Sequence, residues 1–592
     1  MSETGAETPT QHAMLVIWGQ FAQALGLIQE LAKVSLHQKK VRHDPHTKIL
    51  EFLLAVLAGL EHLQDLSTAA EPIEKDLAVA RAWLQPGWAD FSGVSRTLTA
   101  LPQAEVEQIV SVLDRISQPF IDREVMLALA NPGYLTLDGD LTAQPVSDTS
   151  TTYPNAAYGH MDENQLGQGY QVAKVSLRAP TYGRLMLSST LHPGDVVSCT
   201  QAKTLVQAAE ARVGLRPLRR TDLLAHHLAT QVCVRQEREQ RYAESQQALE
   251  KAKMRLPKTW QEIQDCQTQL ATAEQVYQAQ QRQERPFSKP GKLRSRLEML
   301  QRRKTRLVEK QIPQLKEQLV FRRERLTQSL ATELELCQRL EQFEQDNATN
   351  RFPIRVIFRL DAGFGTAENV AWSIEMGYEV YTRPYGDWLK PRLKRQAEGA
   401  NWTRVGKNAE MVVWKAIRLE DFPYPVDVGL ERFQTGSEVR HAALLHFGSD
   451  PVTTDPKRWF NFYNARQTVE AGIKEGKGTF AMHYLKVRSK PALYLQEQFA
   501  RFAANFVRWA SEWLAEQCPQ IPNGWEATIH PKVKQQVKVG AHTSAWVGWQ
   551  EQGCLLRFTD HSVFAGRSLQ VKKSVAIQLA LPFAHKSLNL RI

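Results

Sequence analysis

Four side chains of distinct chemistry stand at helical spacing in WFNFYNARQTVEAGIKEGK, residues 459–477: Tyr463, Arg466, Glu470 and Lys477. On an α-helix at about 100° per residue they fall within an arc of roughly 60°, so one face carries a phenol, a guanidinium, a carboxylate and an ammonium. Phe462, Ala465, Val469 and Ile473 make a second, apolar face, and the whole stretch is predicted to be one amphipathic helix docked on a core. A solvated face with i,i+4 pairing is the usual fate of such a composition. Gly472 and Gly476 argue against it, because each costs a helix about 1 kcal/mol relative to alanine and asks for a packing or functional reason. Carboxylates also end two predicted strands. In GYLTLDGDLT, 133–142, period 2 turns Leu135 and Leu137 one way and Asp138 and Asp140 the other. Two aspartates at the end of an apolar strand are costly to bury unless they bind something positive. RVIFRL, 355–360, runs into Asp361, after which Gly363 and Gly365 make a turn, Thr366 caps a helix over 367–376, and Gly377 closes it.

The spacing Y-x2-R-x3-E-x6-K, matched at all four positions, resembles the signature of DDE transposases of bacterial insertion sequences. The resemblance implies two upstream aspartates at the ends of buried strands, and it identifies Asp361 as the second. The D-x-S/T pattern common at the first strand of these cores matches Asp140-Leu141-Thr142, which favours Asp140 as the first. Asp138, followed by Gly139, stays open as the ligand or as a supporting partner. Asp140, Asp361 and Glu470 together are expected to be catalytic and to hold two divalent ions about 3.5–4 Å apart, the arrangement that suits in-line displacement at phosphorus. An all-oxygen donor set suits Mg2+ or Mn2+ better than zinc. The resemblance further implies that Tyr463, Arg466 and Lys477 contact the end of the mobile element near the cleaved strand. Such a transposase cleaves element ends and joins the 3′-hydroxyl to target DNA, with both DNAs as partners and a homodimer in the DNA complex left open. Two alternatives are kept: a non-catalytic DNA-binding protein derived from a transposase, and an RNase H-fold nuclease without strand transfer.

The elements that must position these residues follow from periodicity. The expected fold class is α/β. By resemblance its core is RNase H-like, interrupted by a long antiparallel coiled-coil hairpin and a β-rich insertion, with a helical N-terminal domain and a small β-rich C-terminal one. Residues 1–130 read as helical and DNA-binding, with helices at 14–33, 46–66, 74–84 and 105–129. Between the last two, Ser92 is expected to cap a short helix with Val94 and Leu98 inward and Ser95, Arg96 and Thr99 outward, Arg96 being a candidate DNA contact. Core segments are expected at 131–234, 347–400 and 456–518, with strands at 169–177, 184–191 and 378–383 and helices at 200–213 and 492–516. Leu249, Leu256, Ile263, Leu270 and Tyr277 repeat at sevens, as do Leu300 with Leu307 and Leu319 with Leu326. RPFSKPGK, 285–292, breaks the run, so 235–346 is expected to be a helical hairpin bent at Pro257 and Pro313. Spacer arm, DNA clamp and dimerisation element remain open for it. Residues 401–455 form the β insertion and 519–592 the C-terminal β domain. With those excursions recognised, the 221 residues from Asp140 to Asp361 and the 109 from Asp361 to Glu470 fit one core.

Among 592 residues, 74 Lys and Arg outnumber 63 Asp and Glu, a net charge of +11, and the pI is near 9.2. A polyanionic partner follows, nucleic acid first. The longest apolar run, 49–60, is interrupted by Glu51 and is short of the ~20 residues a bilayer span requires, so no membrane partner is expected. The start lacks a basic n-region and an apolar h-region, and the six cysteines show no CxxC. A cytoplasmic protein, nucleoid-associated when bound to DNA, is the expected localisation. No Walker A sequence and no strand-anchored GxGxxG occurs.

Overall fold

Central parallel strands are buried on both faces, and two four-residue strands buried at every position, VIFR and EVYT, lie at the centre of a large sheet. The computed structural model describes residues 7–38, 42–147, 152–162, 165–420, 422–436, 438–482, 487–517, 533–551, 553–561 and 566–572. The strands in chain order are β1 (Thr8–Thr10), β2 (Leu135–Pro145), β3 (Ala157–Asp162), β4 (Gln165–Leu177), β5 (Leu185–Pro193), β6 (Val356–Arg359), β7 (Glu379–Thr382), β8 (Thr403–Arg404), β9 (Ala409–Ile417), β10 (Val426–Thr435), β11 (Glu438–Phe447), β12 (Ala545–Gln550), β13 (Gly553–Phe558) and β14 (Ser568–Lys572). The protein is mixed α/β. Its chain divides into two compact units, Met1–Leu218 with Asn350–Ile592, and Arg219–Thr349.

The ten-stranded sheet of the first unit runs β3-β4-β2-β6-β7-β11-β10-β9-β8, with β5 also paired to β4. β2, β6 and β7 are parallel neighbours, while β4 is antiparallel to both β2 and β5. Strand β3 adds to the expected strands, and residues 401–455, expected as a β-rich insertion, are strand-rich. They continue the same sheet, β11 pairing antiparallel with β7 so that Leu445 stands opposite Thr382. Burial of Ala443, Leu444 and Leu445 drives that docking and leaves no open edge on β7.

The helix Lys490–Gln517 is the spine of this unit. Phe499, Phe502, Phe506, Trp509 and Trp513 recur at three and four residues along it, and their rings meet Phe52, Phe21 and Phe120 of the N-terminal helices. Its polar stripe covers the edge strand β5: Asn505 exchanges two hydrogen bonds with Met186, Arg501 donates to the Leu187 carbonyl and Gln498 to that of Ser189. The N-terminal helices are shorter than expected. The 14–33 helix splits into Ala13–Ala24 and Leu27–Ala32 around Gly26, whose φ of 70° only glycine adopts cheaply. The 46–66 helix becomes Pro45–Leu57 and Asp65–Thr68, and the expected 74–84 helix is a 3₁₀ turn followed by Leu77–Ala82. A four-stranded sheet, β1-β12-β13-β14, joins the N-terminal strand to the C-terminal region. Parts of the stretch expected to form that domain, 519–532 and 573–592, and Cys518 lie outside the described residues.

The second unit is the helical hairpin. Helix Thr221–Ala279 runs on through Pro257, and the return arm is Lys289–Arg306, a π-turn Leu307–Gln311 and Ile312–Thr349. Pro313 lacks the N–H that would bond the carbonyl four residues back, and the ladder loosens into the π-turn there. Arg235 meets Glu333, Arg322 reaches Ser245, and Cys266 packs with Leu300, an antiparallel order. The arm begins at Thr221, earlier than the expected 235, because its first turns hold no glycine or proline to delay the helix. No helix among the described residues is long and apolar enough to cross a membrane.

Candidate active site

Strand β2 carries Asp138 and Asp140 toward one end of the parallel strands, but the two carboxylates have different fates. Asp138 is 1% exposed and faces Arg359 of β6 in register. The Arg359 guanidinium, itself fully buried, gives it two hydrogen bonds of 2.6 and 2.7 Å and a third of 2.6 Å to the Phe462 carbonyl. Thr468 adds its hydroxyl at 3.3 Å. Asp138 is thus consumed by donors of the chain and ties β2 and β6 to the glutamate segment. Asp140, two residues on, has a side chain 13% exposed and accepts the Leu141 N–H at 2.9 Å.

Asp140 and Glu470 share one cation, Arg466, whose charge also reaches Asp361. Arg466 donates to Asp140 at 3.2 Å and to Glu470 at 2.7 Å, so the two acids are separated by the span of one guanidinium and its hydrogen bonds. Asp361 ends the turn after β6 and accepts the Gly363 N–H at 2.9 Å, capping the 3₁₀ turn Ala362–Phe364. Burial pushes the Asp140 carboxyl up to about 6, with Arg466 opposing and the charge of Asp361 adding to the rise. Asp361 is raised by burial as well, again against Arg466, with a smaller push from Glu470. These couplings put all three acids in one electrostatic neighbourhood. Glu470 keeps a side chain 42% exposed, the most accessible of the three.

The glutamate helix is not the continuous one expected over 459–477. It is Pro456–Asn464, a tightened turn at Ala465–Arg466, Gln467–Lys474, and a π-turn Glu475–Thr479. Across the join the Arg466 and Val469 N–H groups bond three residues back, to Tyr463 and Arg466, at 2.9 Å each. Trp459 and Tyr463 pull the first piece into a core with Ile357, Tyr381, Met411 and Leu444, while the second piece keeps Arg466 and Glu470 over the strand ends. Tyr463 is therefore buried, its hydroxyl donating to the Leu360 carbonyl at 3.1 Å and its phenol pushed up to about 12 by burial. Tyr463 and Arg466, both expected DNA contacts, thus lie in the core and between Asp140 and Glu470 respectively. Lys477 lies half-buried in the π-turn. Arg96 is exposed on the helix Phe91–Ala100 and folds back on Ser92, and Asp90, not Ser92, caps that helix through the Gly93 N–H at 3.1 Å.

Gly472 has a packing reason: a Cβ there would come within 2.9 Å of the Arg184 guanidinium. Arg184 also bonds the Thr468 carbonyl and Glu475, which in turn takes Arg508 at 3.0 Å, and this pins the glutamate segment from behind. Gly476 meets only the Lys174 ammonium at an ordinary 3.6 Å. Three cations near the acids were not singled out from the sequence: Arg359, Arg184 and Arg383. An arginine inside an apolar central strand was the available signal for Arg359, since such a charge needs a buried partner. Arg383 follows β7 directly, at the carboxyl end of a parallel strand where such sheets place ligands. It lies 5.6 Å from the Tyr463 ring and 3.6 Å from Glu431, whose buried carboxyl is raised to about 7.

Among the described residues no three His, Cys, Asp or Glu side chains stand ready as a metal cage, and Arg466 occupies the position of counter-ion. The donor chemistry nonetheless fits a hard divalent cation: three carboxylates, two of them raised by burial and by a neighbouring acid. No protein-family model matches the chain, and no curated protein matches it in sequence.

Proposed function

We propose that the protein is a metal-dependent DNA transposase of the DDE type, cleaving the ends of a mobile element and joining the 3′-hydroxyl to target DNA. The observation that carries the reading is the pairing of Asp140 of β2 and Glu470 of the Gln467–Lys474 helix with the single guanidinium of Arg466, with Asp361 of the turn after β6 within reach of that charge. The strand order β5-β4-β2-β6-β7, antiparallel through β5, β4 and β2 and parallel through β2, β6 and β7, supports an RNase H-like core. Mg2+ or Mn2+ held by the three carboxylates would activate the attacking oxygen and stabilise the leaving one.

The chain's own groups prepare that chemistry. Asp138 and Arg359 lock the two strand ends together, so Asp140 and Asp361 approach despite their repulsion. Arg466 keeps the acids ionised and apart in the absence of another cation. Tyr463 and Trp459 fix the angle at which Glu470 arrives. A second reading, a non-catalytic DNA-binding protein, is favoured by one feature: the Arg466 pairs already neutralise two of the acids without a metal. The experiment that separates the two incubates the purified chain with Mg2+ and duplex DNA spanning the ends of the element that encodes it. Strand cleavage followed by joined product supports the transposase. Cleavage without joining leaves a nuclease, and binding without cleavage leaves the second reading.

A further inference from the structure

The chain's positive charge is concentrated far from the acidic residues in sequence. Residues 251–310, the distal part of the helical arm, contain fifteen Lys and Arg against six Asp and Glu, a net +9 out of the chain's +11. The rest of the same unit, 219–250 with 311–349, holds ten against twelve. A coiled coil that served only as a spacer has no reason to segregate charge along its length, because solubility is satisfied by mixed signs.

The geometry of the return arm is specific. Along Lys289–Arg306 the exposed residues Lys292, Arg296, Arg303 and Arg306 fall within an arc of about 80° over a rise of about 21 Å. Leu300 and Leu307 form the buried seam about a quarter-turn away. Among the described residues Lys292, Arg296 and Arg306 make no ion pair, and Arg303 has only a loose one, 3.8 Å to Glu262. At the turn between the arms Phe287 is 87% exposed, the most exposed large apolar side chain among the described residues, with Arg285 and Lys289 on either side. Water-exposed phenylalanine ringed by cations fits a polyanion that also offers flat apolar faces, which nucleic acid does and an acidic protein surface does not.

We infer that the distal arm is a second DNA-binding surface, its cationic stripe lying along the phosphates of a duplex and Phe287 contacting bases at the tip. The inference depends on the transposase reading only for the choice of DNA as the polyanion, and its test needs neither metal nor cleavage. The full chain and its variant Lys292→Gln, Arg296→Gln, Arg303→Gln, Arg306→Gln are titrated with a short mixed-sequence duplex DNA across a range of salt concentrations. Glutamine preserves helix propensity, and circular dichroism checks that the arm is intact. The slope of log K against log salt should flatten by up to about 3.6, about 0.9 for each of four phosphates. Substituting Lys316 and Arg323 of the proximal arm by glutamine should leave the slope unchanged. Phe287→Ala should weaken binding about five-fold with the slope kept. Coincident slopes for wild type and the fourfold variant overturn the proposal, as does a change of oligomeric state without a change of slope. Unaltered affinity in Phe287→Ala overturns the base contact. A flattened slope in a protein that never cleaves DNA would leave this surface standing and remove the transposase reading alone.

Discussion

In the sheet-bearing unit the arginines near the acids are matched by carboxylates: Arg359 by Asp138, Arg466 by Asp140 and Glu470, Arg184 and Arg508 by Glu475, Arg355 by Glu379 and Asp450. In the helical unit the distal cations stand at the surface with few partners. The same side chain thus has two uses. Buried, it needs an acid within hydrogen-bond reach and becomes a fixed part of the framework, because an unpaired buried charge is costly. Exposed on a helix, it keeps its hydration and stays available to phosphate. The net charge of +11 therefore reflects mainly the distal arm at +9, with the proximal arm at −2 and the rest of the chain at +4.

The largest effect should come from the acids themselves. Glu470→Gln keeps size and helix propensity and removes one metal-binding charge, so cleavage should fall by orders of magnitude, while duplex binding measured in the same preparation is retained. Normal cleavage by Glu470→Gln would reduce the glutamate to a half-exposed partner of Arg466. Arg359→Ala sharpens the comparison from the framework side. It abandons the Asp138 carboxylate in a buried site and should destabilise the fold by about 3–5 kcal/mol in denaturant titrations. Lys292→Gln, on the open stripe, should stay within about 0.5 kcal/mol of wild type. If both changed stability equally, burial would not be what separates the two classes of cation.

A smaller and pH-dependent effect is expected at Glu51, which lies in the apolar helix Pro45–Leu57 with one oxygen on the Ala89 N–H. Burial pushes its carboxyl up to about 8 from the ordinary 4.5. The folded state then holds a proton that the unfolded state has released, so stability falls as pH rises between those values and levels off above them. Glu51→Gln has no proton to lose. Its stability advantage over wild type should grow by at most about 1.4 kcal/mol per pH unit through that window, read from denaturation midpoints at a series of pH values.

Much of this arrangement was legible in the sequence because it rests on local rules. Alternation in GYLTLDGDLT and the run RVIFRL marked two strands, and heptads around RPFSKPGK marked the hairpin, but the first strand continues past Asp140 to Pro145 through its pairing with β4, so Asp140 lies within it and not at its end. The choice between Asp138 and Asp140 was not legible, since both project to one face of β2. What separates their surroundings is Arg359, 221 residues from Asp138 in sequence and opposite it in register. The glutamate helix was read as straight because helical periodicity assumes 3.6 residues per turn, and the tightened turn at Ala465–Arg466 breaks that phase. The tightened turn lets Tyr463 enter the core while Arg466 and Glu470 stay over the strand ends. Continuation of the sheet through β11 was hidden for a similar reason: strand pairing is a long-range choice that a single strand's pattern does not specify.

In the proposed enzyme Asp140, Asp361 and Glu470 would hold the divalent cation whose place Arg466 takes. Electron paramagnetic resonance of free Mn2+, titrated against the DNA-free protein, tests this without any activity. Wild type should sequester Mn2+, with Asp140→Asn, Asp361→Asn and Glu470→Gln each binding it more weakly, and Arg466→Gln, which removes the resident cation, binding it more tightly. Equal Mn2+ uptake by all five proteins, or loss of uptake in Arg466→Gln while the carboxylate variants retain it, would contradict the account.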